Sequence, residues 1–169
     1  FYMIIVVMMV PGCLTLVPSF ILYRTFGMYN SLLALIVPIW TGGCVFSVFL
    51  LVNMYRGIPA ALFEAAEIDG AGMFKRYLFI AVPLSAPILG TIVIMSIVNI
   101  WNDLAWPMLI LEPESYTITP GLELTFRTVV GQEPVMYASY LLASVPLILL
   151  FIFANRFYIQ GLMGAAIKL

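Results

Sequence analysis

Four stretches of this chain run for about 20 residues or more with almost no formal charge, and nothing else in the sequence restricts its fold so strongly. They are Phe1 to Tyr23, Ser31 to Tyr55, Ile80 to about Leu111, interrupted only by Asp103, and Val135 to Asn155. About 20 apolar residues in an α-helix cross a hydrocarbon core of about 30 Å. Inside lipid, backbone N–H and C=O groups have no water to bond, so a lone segment has to satisfy them helically. The expected fold is therefore all-α: a polytopic transmembrane helical bundle of about four spans, multi-pass in the cell membrane. Pro11, Pro18, Pro38, Pro87 and Pro146 fall inside these windows and predict kinks rather than breaks. Composition agrees, with 64% hydrophobic and 9% charged residues.

Several chemistries are excluded at once. The chain has no histidine, which removes serine–histidine catalysis, histidine-ligated zinc and axial histidine to haem. Cys13 and Cys44 sit in apolar runs and read as small hydrophobes, so neither a metal site nor a cofactor is expected. A net charge of −1 without any basic run argues against a nucleic-acid partner. No G-x-x-x-x-G-K-[ST] segment occurs, so the chain is not expected to be an enzyme; any ATP-driven work requires a partner.

Lysine and arginine in short loops stay on the cytoplasmic side. Arg56, Lys75, Arg76, Arg156 and Lys168 fall on one face, against Arg24 and Arg127 on the other. The segment from Arg56 to Phe79 and the C-terminus are thus assigned to the cytoplasm. "RTFGMYN", Arg24 to Asn30, reads as a tight turn, and Glu112 to Pro134 as a long polar loop. Trp101 and Trp106 are placed at the outer headgroup interface. Phe1 opens directly into an apolar run with no basic n-region or cleavage site, which is not a signal peptide. A longer parent chain with further upstream spans is expected.

Within the cytoplasmic segment, "FEAAEIDGAG" sets three carboxylates and two glycines between lipid-grade runs. Pro59 suits a first helical turn, and Gly70 suits a helix end that needs φ > 0. The spacing predicts a helix over Ile58 to Asp69. Ile58, Ala61, Leu62, Ala65 and Ile68 form its apolar face, and Glu64, Glu67 and Phe63 lie on the opposite side. A second short helix follows, exposing Lys75 and Arg76 and ending where Pro83 begins the approach to the next span. Two readings fit: an amphipathic pair resting on the membrane surface, or a docking element for a cytoplasmic protein.

At these residues the sequence resembles a known family. "EAAEIDG", nine residues and then "IAVP" is similar to the EAA loop of ATP-binding cassette (ABC) importer permeases, usually written EAA, three residues, G, nine residues, I-x-L-P. Glu64, Ala65, Ala66, Gly70, Ile80 and Pro83 are in register, and Val82 stands where leucine is usual. "NIWNDLAWPMLIL", Asn99 to Leu111, resembles the WNDF-x-WP segment of the carbohydrate-importer branch, in its smaller permease subunit, with Leu104 in place of phenylalanine. The tail "YIQGLMGAAIKL" is similar to that branch's ending, departing at Met163, Ala166 and Leu169.

The resemblance implies a single permease domain over 1–169, lacking one or two N-terminal spans, with an EAA coupling loop at 56–83. It also implies a cytoplasmic ATPase docked at that loop, where Phe63, Glu64, Ala65, Ala66, Glu67, Gly70, Lys75, Arg76 and Pro83 are the candidate contacts. A second permease subunit and an extracellular solute-binding protein would complete an importer for a sugar or oligosaccharide, working by alternating access.

Polar groups at membrane depth mark a substrate path, because facing lipid would be costly. Asn53, Asn99, Trp101, Asn102, Asp103 and Trp106 are the candidates. Helix–helix hydrogen bonding for the asparagines and a headgroup belt for the tryptophans remain open beside that reading. The rival functional class is an ion-coupled secondary transporter, whose Asn and Asp side chains would hold cations; it leaves the cytoplasmic helix pair without a role.

Overall fold

The computed structural model describes residues 1–128 and 133–166, with side chains as far as Ala154. Among the described residues the chain is helical, with turns and no strands. In order, the helices are α1 (Tyr2–Met8), α2 (Gly12–Thr25), α3 (Leu33–Thr41), α4 (Cys44–Arg56), α5 (Ala60–Ile68), α6 (Met73–Arg76), α7 (Val82–Trp101), α8 (Ala105–Ile110), α9 (Ile118–Thr128) and α10 (Glu133–Ala166).

Among the described residues, three helical runs are long and apolar enough to cross a membrane: Leu33–Arg56, Met73–Trp101 and Glu133–Ala154. The first expected span is different, because α1 and α2 meet at 87°. Pro11 stands at that corner as the cap of α2, with ψ of 127°. Lacking an N–H and holding its neighbour out of the helical region, it turns an expected kink into a right-angled break. Pro18, Pro38, Pro87 and Pro146, by contrast, all remain inside helices.

The third span ends earlier than the apolar window does. α7 stops at Trp101, Asn102 to Leu104 turn the chain, and α8 folds back against α2 and α3. Asp103 is the reason readable in sequence: its carboxylate accepts from the Trp106 backbone amide at 3.4 Å, near the start of α8. The Glu112–Pro134 loop also has structure that the sequence reading missed. It holds a 3₁₀ turn, Pro113–Ser115, and the helix α9 against α10.

α7 is the centre of the bundle, packed between α4 and α10, with α1 lying on α4. Ser85, fully buried on α7, is 3.4 Å from the Tyr55 hydroxyl of α4 and also donates to the Val82 carbonyl. At the opposite end a small core gathers Tyr23, Ala34, Trp106, Ile110 and Leu111. No residue of the most apolar stretches of Leu33–Arg56 and Glu133–Ala154 is buried within the chain. Large apolar side chains there, among them Leu33, Ile36, Leu141, Leu142 and Phe153, are exposed.

Trp106 is 9% exposed, so it is a core residue and not part of a headgroup belt. Pro38 has no N–H, and the Ala34 carbonyl four residues before it therefore lacks its helical donor. The Trp106 indole Nε1 donates to that carbonyl at 2.8 Å, and its ring meets Tyr23 edge-on at 5.5 Å.

The same end is closed by a clasp. α2 finishes at Gly27, whose φ of +68° permits the left-handed cap. The Met28 amide bonds to the Tyr23 carbonyl and the Gly27 amide to that of Arg24, the paired bonds of a Schellman ending. Asn30, at φ 53°, then donates through Nδ2 to Glu112 and accepts from the Glu112 amide, both at 3.1 Å.

Candidate functional site

α5 begins at Ala60, two residues later than expected, and Pro59 caps it rather than occupying its first turn. Its C-terminal end matches the sequence reading closely. Gly70 has φ of +77°, the Gly70 amide bonds to the Glu67 carbonyl, and the Ala71 amide bonds to the Ala66 carbonyl. A Cβ at Gly70 would meet nothing within 4 Å, so the demand for glycine there is purely conformational.

The face that α5 turns inward is not the expected one. Phe63 and Ala66 are half-buried, whereas Ala61, Leu62 and Ala65 are exposed and Ile68 is 87% exposed. An amphipathic pattern reports which side avoids water, and it does not say whether the same chain or another molecule covers that side. Glu64 is exposed and has no partner among the described residues. Glu67 is paired with Arg76 at 2.7 Å, so Arg76 is half-buried where the sequence suggested an exposed cation. Lys75 remains exposed.

The second short helix does not end before Pro83, as the sequence suggested it would. α6 runs through a π-helical turn, Tyr77–Ala81, into α7, and the Val82 amide reaches back five residues to the Tyr77 carbonyl. Pro83 cannot donate in this region, and a widened turn beside a proline is a usual way for a helix to continue past it. The loop is therefore one short helix joined by Gly70 to the N-terminal extension of a span.

The path residues expected from the sequence separate into two groups. A cleft of about 780 Å³ opens between α2, α3, α4 and the far end of α7, and Asn99, Asp103 and Trp106 line it. Asn53 and Asn102 do not: each is exposed and donates to its own helix, to Phe49 at 3.0 Å and to Val98 at 2.8 Å. Trp101 is half-buried outside the cleft lining, and its carbonyl accepts from the Thr119 hydroxyl.

The cleft also takes polar residues that the sequence reading passed over. Thr15 and Ser19 come from α2, Ser47 from α4, and Ser96 joins Asn99 on α7, with Asp103 in the turn just beyond it. Their signal was present as helical spacing: Thr15 and Ser19 are four apart, and Ser96, Asn99 and Asp103 follow at three and four. Which rows face each other depends on packing.

Arg156 lies beyond the described side chains, and Lys168 and the end of the tail motif lie outside the described residues. Among the described residues no group of His, Cys, Asp or Glu could hold a metal. Cys13 and Cys44 are free thiols.

A multi-pass helical bundle, with a mostly apolar cleft that takes several polar side chains toward one side and an exposed acidic helix beyond the other, defines the class: an integral membrane protein. The chain belongs to the family of binding-protein-dependent transport system inner membrane components, whose family model matches residues 1–163. It is 33% identical over 99% of its length to the melibiose/raffinose/stachyose import permease protein MelC of Bacillus subtilis, covering 62% of that protein. It is 28% identical, again over 99% of its length, to the arabinooligosaccharides transport system permease protein AraQ of Halalkalibacterium halodurans, covering 60% of it. The chain thus spans about three-fifths of the length of these relatives.

Proposed function

We propose that this chain forms part of the translocation pathway of an ABC importer for a sugar or oligosaccharide, and couples through residues 56–83 to a separate cytoplasmic ATPase. A second permease subunit completes the pathway and an extracellular solute-binding protein delivers the saccharide. The family match and the relatives' names support the reading. The observation that carries it is α5 itself, which holds Glu64, Leu62 and Ile68 exposed next to a glycine-capped end. A surface that combines apolar and acidic groups suits contact with another protein. Because α6 is continuous with α7, a push on α5 and α6 acts directly on a span lining the cleft.

The test uses the full chain in its native complex. Affinity purification should recover an ATPase, and vesicles should take up melibiose, raffinose or arabinotriose only when ATP is supplied. Glu64→Lys should abolish recovery of the ATPase while leaving the protein in the membrane. Uptake that follows an ion gradient without any ATPase would overturn the reading in favour of a secondary transporter.

A further inference from the structure

Buried in a membrane, serine, threonine and asparagine side chains ordinarily turn back onto carbonyls of their own helix, because lipid offers them no partner. Most of this chain follows that rule. Outside the cleft, every described Ser, Thr and Asn side chain makes a hydrogen bond, apart from Ser115 on an exposed turn. Inside the cleft the rule reverses. Thr15 bonds to the Gly12 carbonyl, but Ser19, Ser47, Ser96, Asn99 and Thr117 have no hydrogen-bond partner among the described residues.

Five unpaired polar side chains from separate helices and a loop thus converge on one cavity. Its volume, about 780 Å³, falls in the range of about 300–1,000 Å³ usual for small-molecule sites. Trp40 also lines it and is 76% exposed, leaving an indole surface uncovered. Asp103 supplies the cleft's single carboxylate. One acid among hydroxyls and an amide is a poor cage for a hard cation, which takes six or more oxygen ligands. A neutral polyol fits better: its hydroxyls donate and accept, as those of serine and threonine do, and its C–H faces lie flat against an indole.

We propose that this cleft is a saccharide-binding site carried by this chain itself, with Ser47, Ser96 and Asn99 pairing with sugar hydroxyls and Trp40 stacking on a ring. The inference rests on the importer reading and adds to it that this subunit holds the sugar rather than merely enclosing the path.

Cys44 lines the cleft and is a native reporter. In the purified complex carrying Cys13→Ala, melibiose, raffinose or arabinotriose, whichever the vesicles take up, should slow alkylation of Cys44 by a soluble maleimide. Ser96→Ala/Asn99→Ala should raise the half-protecting concentration at least about tenfold, and Ser139→Ala on α10 should not change it. If the complex transports a saccharide that neither protects Cys44 nor responds to the double variant, the site is overturned and the importer reading stands. The site is equally overturned if Cys44 in a transporting complex resists the maleimide without sugar, since protein then fills the cleft. Absence of all ATP-dependent uptake removes both readings.

Discussion

A proline and a tryptophan 68 positions apart in sequence solve one hydrogen-bonding problem. Pro38 withholds a donor from the Ala34 carbonyl, and the Trp106 indole supplies one. Trp106→Phe should therefore cost about 1–3 kcal/mol through an unsatisfied buried acceptor, beyond its small loss of packing. Pro38→Ala restores a backbone donor, so Trp106→Phe should cost clearly less in that background. Thermal unfolding of the four proteins in detergent measures this cycle, and equal costs in both backgrounds would show that the indole bond carries no stability. At Gly70 the constraint is φ alone, since a Cβ would meet nothing. Gly70→Val should cost on the order of 1 kcal/mol, leave insertion intact and reduce ATPase recovery. ATPase recovery at the wild-type level would separate the glycine cap from coupling.

Between α5 and α6 the tie is the Arg76–Glu67 pair, with side-chain exposures of 24% and 67%. An ion pair so open to water contributes about 0–1 kcal/mol. Arg76→Ala should therefore leave the unfolding temperature nearly unchanged, yet lower saccharide-stimulated ATP hydrolysis by letting α5 swing about Gly70. A fall in stability of several kcal/mol, or unaltered hydrolysis, would contradict this. The π-helical turn makes α6 part of the span, so motion should enter the bundle there and not at a hinge near Pro83.

Across the whole molecule, the clasp between Asn30 and Glu112 and the Thr119–Trp101 bond put the turn after α2 and the α8–α9 segment at one end. Arg56 and the α5–α6 pair lie at the other, where the Arg56 guanidinium sits over the Phe1 ring at 4.3 Å. The asymmetry of basic residues assigns this second end to the cytoplasm. Single cysteines at Met73 and Ser115, both exposed, in a background lacking Cys13 and Cys44, should react with an impermeant maleimide from opposite sides. Labelling of both from outside would overturn the orientation.

Hydrophobic run length alone determined the class, the approximate spans and the helical content, because lipid leaves a backbone so few ways to satisfy itself. Local chemistry determined the cap at Gly70, since only a residue without Cβ accepts φ of +77° freely. The sequence could not tell a kink at Pro18 from a corner at Pro11, as both are the same residue in apolar surroundings. Nor could it show that Trp106 faces a proline-orphaned carbonyl, that the apolar side of α5 is the exposed side, or that α8 folds inward. Those outcomes depend on which distant surface arrives to cover each group, and so does the cleft: two helices carry ordinary polar rows and a third a lone serine, and only their packing turns them toward one another.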